Sequence, residues 1–158
     1  MIIGVIGGSQ SDQENLEIAY RLGKLIAQNG WFLICGGLTG IMEYACKGAY
    51  EEDGITIGIL PGGDKSSANP YVKIPIATGI GLARNFIIIN TADVLVAIDG
   101  RYGTLNEISA ALNLSKKVIA INSWKLKKSG EIDTNLFFEV NSPNEAIKLI
   151  KEWNKYGT

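Results

Sequence analysis

The sequence contains no histidine. A Ser-His-Asp or Cys-His arrangement is therefore excluded within this chain, as is a metal held by imidazole. Any chemistry it performs must use carboxylates, Lys, Arg, Tyr, Cys or backbone groups. Cysteine is scarce as well: Cys35 falls in a strand-like run, Cys46 in a helical pattern, and the two make no metal-ligand spacing. No metal is expected, and reduced thiols in a cytoplasmic protein are the default. Charge of either sign is not in excess. The net charge is −1 and no dense basic run occurs, which argues against nucleic acid or an anionic membrane as partner. No apolar run reaches the length of a membrane span, and residues 1–6 read as a first strand rather than a leader. No repeat, low-complexity segment or linker divides the 158 residues, so one domain over residues 1–158 is expected, large enough for a core.

What the chain does have is a regular alternation of short apolar runs and amphipathic stretches. Residues 2–6 predict a buried strand, ended by Gly7, Gly8 and Ser9. Leu16, Ala19, Gly23, Ile26 and Ala27 recur at helical spacing, predicting a helix over 13–29 that Asn29-Gly30 terminates. Strands follow at 31–35, stopped by Gly36 and Gly37, and at 56–60, closed by Pro61-Gly62-Gly63; a helix over 40–52 lies between them. Residues 64–71 form a polar loop, and 72–77 a further strand or extended edge. A helix containing Leu82, Arg84, Asn85, Ile88 and Ile89 precedes a strand at 94–98 and a helix at 103–113. Strands at 118–121 and 136–140, a charged turn at 125–130, and a last helix opened by Ser142-Pro143 complete the order. Such an alternation predicts an α/β fold: a Rossmann-like three-layer sandwich, with a mostly parallel sheet covered by helices on both faces.

The stretch Asp99-Gly100-Arg101-Tyr102-Gly103-Thr104-Leu105-Asn106-Glu107 lies between an apolar strand and a helix. A helix N-terminus presents unpaired amides and the positive end of its dipole, which suits an anion. Gly100 and Gly103 allow a sharp turn and a close backbone approach. Thr104 can cap the helix or donate to a phosphate oxygen. Glu107 can close a capping box with Thr104 or point its carboxylate into the pocket, and the pattern fits both.

In an open α/β sheet, ligands bind beyond the carboxyl ends of the strands. Four glycine-bearing turns gather there, predicting a site for a phosphorylated small molecule. The dinucleotide fingerprint G-x-G-x-x-G does not follow the first strand. Arg84 lies in a mostly apolar segment, where an anion contact is favoured over a structural salt bridge. Cys35 and Cys46 read as packing residues. Trp31 and Trp153 suit a helix–sheet contact or a subunit interface, and Lys116-Lys117 and Lys125-Lys127-Lys128 read as solvated turns.

Gly7-Gly8-Ser9, Cys35-Gly36-Gly37-Leu38-Thr39-Gly40-Ile41-Met42-Glu43 and Gly58-Ile59-Leu60-Pro61-Gly62 together resemble the SLOG superfamily. That group includes the Lonely Guy (LOG) cytokinin-activating phosphoribohydrolases and proteins long mislabelled as lysine decarboxylases. Ala68-Asn69-Pro70-Tyr71 and Thr78-Gly79-Ile80-Gly81-Leu82-Ala83-Arg84-Asn85 look most like the branch with the molybdenum-cofactor carrier proteins. The resemblance covers residues 2–124. In the signature P-G-G-x-G-T-x-x-E, Gly100, Gly103, Thr104 and Glu107 match, while Asp99 replaces the proline and Arg101 a glycine. Arg84 matches the arginine of the upstream Arg-Lys motif, and Asn85 replaces its lysine.

The resemblance implies ligand contacts from Gly7, Gly8, Ser9, Gly36, Gly37, Gly40, Arg84, Asn85, Gly100, Arg101, Gly103, Thr104 and Glu107. Two activities follow from it. One is a carrier or sensor that binds a phosphorylated nucleotide-like molecule, a nucleotide or molybdenum cofactor, with no cofactor required beyond that ligand. The alternative is a nucleoside 5′-monophosphate phosphoribohydrolase, in which Arg84 and Glu107 would be the catalytic pair that frees base and ribose 5-phosphate. Lysine decarboxylation is not implied. The altered loop favours binding over catalysis. By analogy with the family a homodimer or homotetramer is expected.

Overall fold

In the computed structural model, residues 1–127 and 135–155 are described. Seven strands form one sheet: β1 Ile2–Gly7, β2 Phe32–Cys35, β3 Thr56–Leu60, β4 Ile74–Ala77, β5 Val94–Ile98, β6 Lys117–Ile121 and β7 Phe137–Val140. Five α-helices accompany them: α1 Gln13–Gln28, α2 Ile41–Glu51, α3 Asn85–Thr91, α4 Tyr102–Asn113 and α5 Pro143–Lys155. The spatial order is β4-β3-β2-β1-β5-β6-β7 and every pairing is parallel. The fold is α/β and Rossmann-like. Order along the sheet reverses between β1 and β5, so a crevice opens beyond their carboxyl ends.

The pleat sends alternate strand residues to opposite layers. Ile3, Val5, Leu33, Cys35, Val96, Ile98, Ile119 and Ile121 pack under α1, α2 and α5. Ile6, Ile34, Ile59, Leu95, Ala97, Val118 and Ala120 pack under α3 and α4. A strand buried on both faces reads as an unbroken apolar run, which is why β5 is buried throughout.

Several boundaries differ from the sequence expectation for local reasons. β4 begins at Ile74 rather than at residue 72, because Lys73 N–H donates to the side-chain Oγ1 of Thr56 at 2.8 Å and not to a backbone carbonyl of β3. The helix around Leu82–Ile89 is two elements: a 3-10 turn, Gly81–Arg84, runs into α3. Lys116 and Lys117 are not a solvated turn. Lys116 Nζ donates to Asn90 O at 3.1 Å and Ala92 O at 2.8 Å, capping the carboxyl end of α3. Lys117 opens β6, with its ammonium 4.6 Å from the Trp153 ring centroid. Trp153 also packs on Phe138 (centroids 4.8 Å apart), a helix–sheet contact. Residues 128–130 of the charged turn lie outside the described residues. Among the described residues no helix is long and apolar enough to cross a membrane.

Candidate functional site

The turns after β1, β2 and β5 meet the 3-10 turn before α3 around a cavity of about 320 Å³ at the switch point. Of the residues expected at the site, Gly7, Gly8, Ser9, Gly36, Arg84, Asn85, Arg101, Gly103, Thr104 and Glu107 line it. Gly37, Gly40 and Gly100 do not line it; they shape the turns that do. Gly40 has φ +69 and precedes α2, and a Cβ there would lie 2.4 Å from Gly8 O. Its bare backbone lets Ile41 N–H donate to Gly8 O at 3.0 Å, tying the loop after β1 to the start of α2. At Gly100, φ is +98 and a Cβ would meet Thr104 Oγ1 at 2.2 Å.

The helix α4 starts at Tyr102, three residues before a Thr104 cap would allow, and Thr104 therefore does not cap it. Its N-cap is Arg101, which makes no side-chain cap. Leu105 N–H bonds back to Arg101 O at 3.0 Å, so the amides of Tyr102, Gly103 and Thr104 precede the intrahelical ladder. Thr104 and Glu107 therefore lie inside the helix, both buried and both facing the cavity, and no capping box forms. Asp99 closes the other side of the turn with φ +50. Its carboxylate accepts from Ser11 Oγ at 2.5 Å, and its carbonyl accepts from Ser123 Oγ at 2.6 Å. It is thus paired with the β1 loop, not with Arg101.

Arg84 is the unusual member. Its side chain is 7% exposed, yet Nε and Nη1 have no hydrogen-bond partner, and neither has Asn85 Oδ1 beside it. Buried polar groups are almost always satisfied, because each unmade bond leaves a desolvation cost of about 1–3 kcal/mol. Among the described residues Arg84 and Glu107 form no ion pair. Burial pushes the Glu107 carboxyl up to about 7, with nearby Arg84 pulling it the other way. Burial likewise lowers the Arg84 guanidinium from its ordinary value, opposed first by Glu107 and then by Cys35. The site thus offers free cationic donors, an unbonded amide oxygen, a helix N-terminus and a carboxyl that titrates near neutrality.

Sequence reasoning missed Val5, Ile6, Gln10, Leu38, Met42 and Leu82, which also line the cavity. Leu38 and Met42 follow the Gly36-Gly37 turn and could have been suspected from that. Asn69 braces this turn from behind: its N–H donates to Gly37 O and its Nδ2 to Leu38 O, both at 2.9 Å. Among the described residues no cluster of three or more Cys, Asp or Glu side chains is placed to hold a metal ion.

Comparison with known proteins bears on the same architecture. An uncharacterized protein of Archaeoglobus fulgidus is 44% identical over 147 residues, covering 93% of this chain and 92% of its own length. The molybdenum cofactor binding protein of the phototrophic bacterium Rippkaea orientalis superposes with a TM-score of 0.89 at 40% identity, over 96% of this chain and 95% of that one. The molybdenum cofactor carrier protein of Chlamydomonas reinhardtii gives a TM-score of 0.85 at 37% identity, over 96% of each chain. The SLOG cluster4 family model matches residues 1–155, and the chain belongs to that family.

Proposed function

We propose that the cavity binds a phosphorylated, nucleotide-like small molecule of the molybdopterin type, and that the protein acts as its carrier or sensor. The observation that carries this reading is the buried Arg84 with Nε and Nη1 unpartnered at the cavity wall. A guanidinium held this way is worth its desolvation cost when an anion completes it. The free amides at the start of α4 supply a second anion contact from the opposite side. Asn85 Oδ1 calls for a donor, such as the amino or ring N–H of a heterocycle or a sugar hydroxyl. Phosphate would lie between Arg84 and the Gly103–Thr104 amides, and Gly36 leaves room for the guanidinium. The likeness to the two molybdenum cofactor proteins supports a ligand of that class.

The test is what the protein carries and what it takes up. Protein purified from its source, denatured and oxidised, should release a fluorescent pterin together with molybdenum. Calorimetric titration of ligand-free protein with AMP and inorganic pyrophosphate should give heats that vanish in Arg84→Ala. Equal affinities in the two proteins would overturn the reading.

A second reading has its own observation. Arg84 and Glu107 line one cavity without pairing to each other, and the carboxyl titrates near neutral pH. A carboxylate beside a developing oxocarbenium ion favours the transition state over the neutral ground state. Incubation with AMP and chromatography for free adenine, with Glu107→Gln as control, separates hydrolase from carrier.

The exposed apolar residues Ile80, Leu82, Phe86 and Ile87 lie on one short stretch of chain, from the residue before the 3-10 turn into α3, and Leu82 among them lines the cavity. This face is where the homo-oligomer contact is proposed.

A further inference from the structure

Cys35 ends β2, and Cys46 lies in the middle of α2 on the same core layer. Both side chains are fully buried, and their sulfurs stand 3.4 Å apart. The Cys35 sulfur also accepts the Gly37 N–H at 3.3 Å. The next residue after Cys35, Gly36, forms the cavity wall against which the Arg84 guanidinium packs. Cys35 is therefore joined directly to the glycine of the cavity wall, and its thiol meets that of Cys46 in the core layer beside it.

We propose that Cys35 and Cys46 are an oxidation site: hydrogen peroxide converts them to an intrachain disulfide, and that bond reshapes the Gly36-Gly37 wall of the cavity. The chemistry follows from the environment. Hydrogen bonding from Cys46, the Gly37 amide and the Arg84 charge together draw the Cys35 thiol below its ordinary value. Hydrogen bonding to Cys35 and burial push Cys46 up. Cys35, whose sulfur already accepts the Gly37 N–H and which immediately precedes Gly36 of the cavity wall, is the attacking sulfur. Its thiolate attacks one peroxide oxygen, the O–O bond breaks, and the departing hydroxide takes the proton Cys35 lost to become water. The Cys46 sulfur then attacks the Cys35 sulfenic acid; the S–S bond forms, the S–O bond breaks, and a second water leaves with the Cys46 proton. The two thiols lose two electrons and the peroxide gains them. A disulfide requires the sulfurs to close from 3.4 Å to about 2.05 Å. Because Cys35 anchors the Gly37 amide, that movement is transmitted to Gly36 and from there to Arg84. Both sulfurs are buried, so an oxidant must pass the cavity wall at Gly36 and Met42 to reach them.

The consequence for binding rests on the function proposed above; the bond itself does not. Full-length protein is treated with hydrogen peroxide or with dithiothreitol, denatured, alkylated and weighed. The expected result is a form about 2 Da lighter that takes no alkylating group, reversed by dithiothreitol. Ligand-free hydrogen exchange over residues 36–42 should differ between oxidised and reduced protein, and Cys46→Ala should show neither change. Inorganic phosphate should bind the oxidised form about tenfold more weakly than the reduced form. Two alkylatable thiols after peroxide, or a disulfide that leaves exchange over 36–42 unchanged, would overturn the proposal. So would equal phosphate affinity of the two forms. If the reduced protein binds no phosphate, the anion-site reading fails, and the mass and exchange measurements still decide the disulfide.

Discussion

Gly36 has no side chain because Arg84 occupies the place where one would be. A Cβ at Gly36 would lie 2.2 Å from Arg84 Nη1, 2.6 Å from Nη2 and 2.6 Å from Met42 Sδ. All three atoms are far ends of flexible side chains, so Gly36→Ala is expected to fold with little loss of thermal stability. The guanidinium must then swing away from its position. Calorimetric affinity for pyrophosphate is expected to fall about tenfold or more, or about 1.4 kcal/mol. A variant that keeps full affinity would show that Arg84 does not hold the ligand.

Removing the guanidinium itself separates binding from stability. Arg84 is buried and makes no bond through Nε or Nη1, so the free protein bears a desolvation cost at this residue. Arg84→Met keeps much of the apolar stem and drops the charge. Its melting temperature is expected to equal or exceed that of the wild type, while affinity for AMP or pyrophosphate drops at least about tenfold. A large fall in melting temperature would instead mark Arg84 as a structural residue.

The raised Glu107 carboxyl ties stability to pH. Its folded value of about 7 lies above the ordinary carboxylate value of 4.5. Between the two values the folded protein holds a proton that the unfolded chain has released. Stability should therefore be greatest at and below the unfolded value, fall as pH rises through the interval, and level off once the folded carboxyl ionises. Each pH unit of the interval is worth about 1.4 kcal/mol. Glu107→Gln removes this dependence and should be more stable than wild type above neutrality. Thermal denaturation of both proteins from acid to mildly alkaline pH checks the prediction; parallel profiles would sink it.

The fold was legible because the strands are short apolar runs, four of them ended by glycine-bearing turns, and amphipathic stretches lie between them. Arg84 also stood out in sequence as the lone charge in an apolar segment. Other parts of the site depend on which distant residues meet. The fit of Gly36 to Arg84 joins the turn after β2 to the turn before α3, and no local pattern encodes that contact. The Thr104–Glu107 spacing suits a capping box as well as a shared inward helix face. Only the start of α4 at Tyr102, three residues before a Thr104 cap would allow, separates the two. Lys116 and Lys117 look like any charged turn until the carboxyl end of α3 and the Trp153 ring are placed beside them.

The apolar face near the cavity mouth predicts assembly. Leu82 is 81% exposed, Phe86 52% and Ile80 51%, and exposed apolar side chains gathered on one short stretch of chain mark a contact surface. Phe86→Asp lies outside the cavity lining and should leave the fold intact. Light scattering after gel filtration is expected to show an oligomer for the wild type and a monomer for the variant. A wild-type monomer would remove the homo-oligomer from the account.

Two glycines at the junction of β5 and α4 give opposite expectations, and their contrast tests whether the space before α4 belongs to a ligand. Gly100 has φ +98 and no room, since a Cβ would strike Thr104 at 2.2 Å. Gly100→Ala should cost about 1–3 kcal/mol of stability through backbone strain and collision. Gly103 is helical, lines the cavity, and has nothing within 4 Å of where its Cβ would be. Alanine is the better helix former by about 1 kcal/mol, so Gly103→Ala should melt at or above the wild-type temperature. Its new methyl group would nevertheless stand in the space assigned to the phosphate, so affinity for pyrophosphate should fall about tenfold while stability holds. A Gly103→Ala protein that binds as tightly as wild type would move the anion away from the α4 N-terminus and leave Arg84 as its sole anchor.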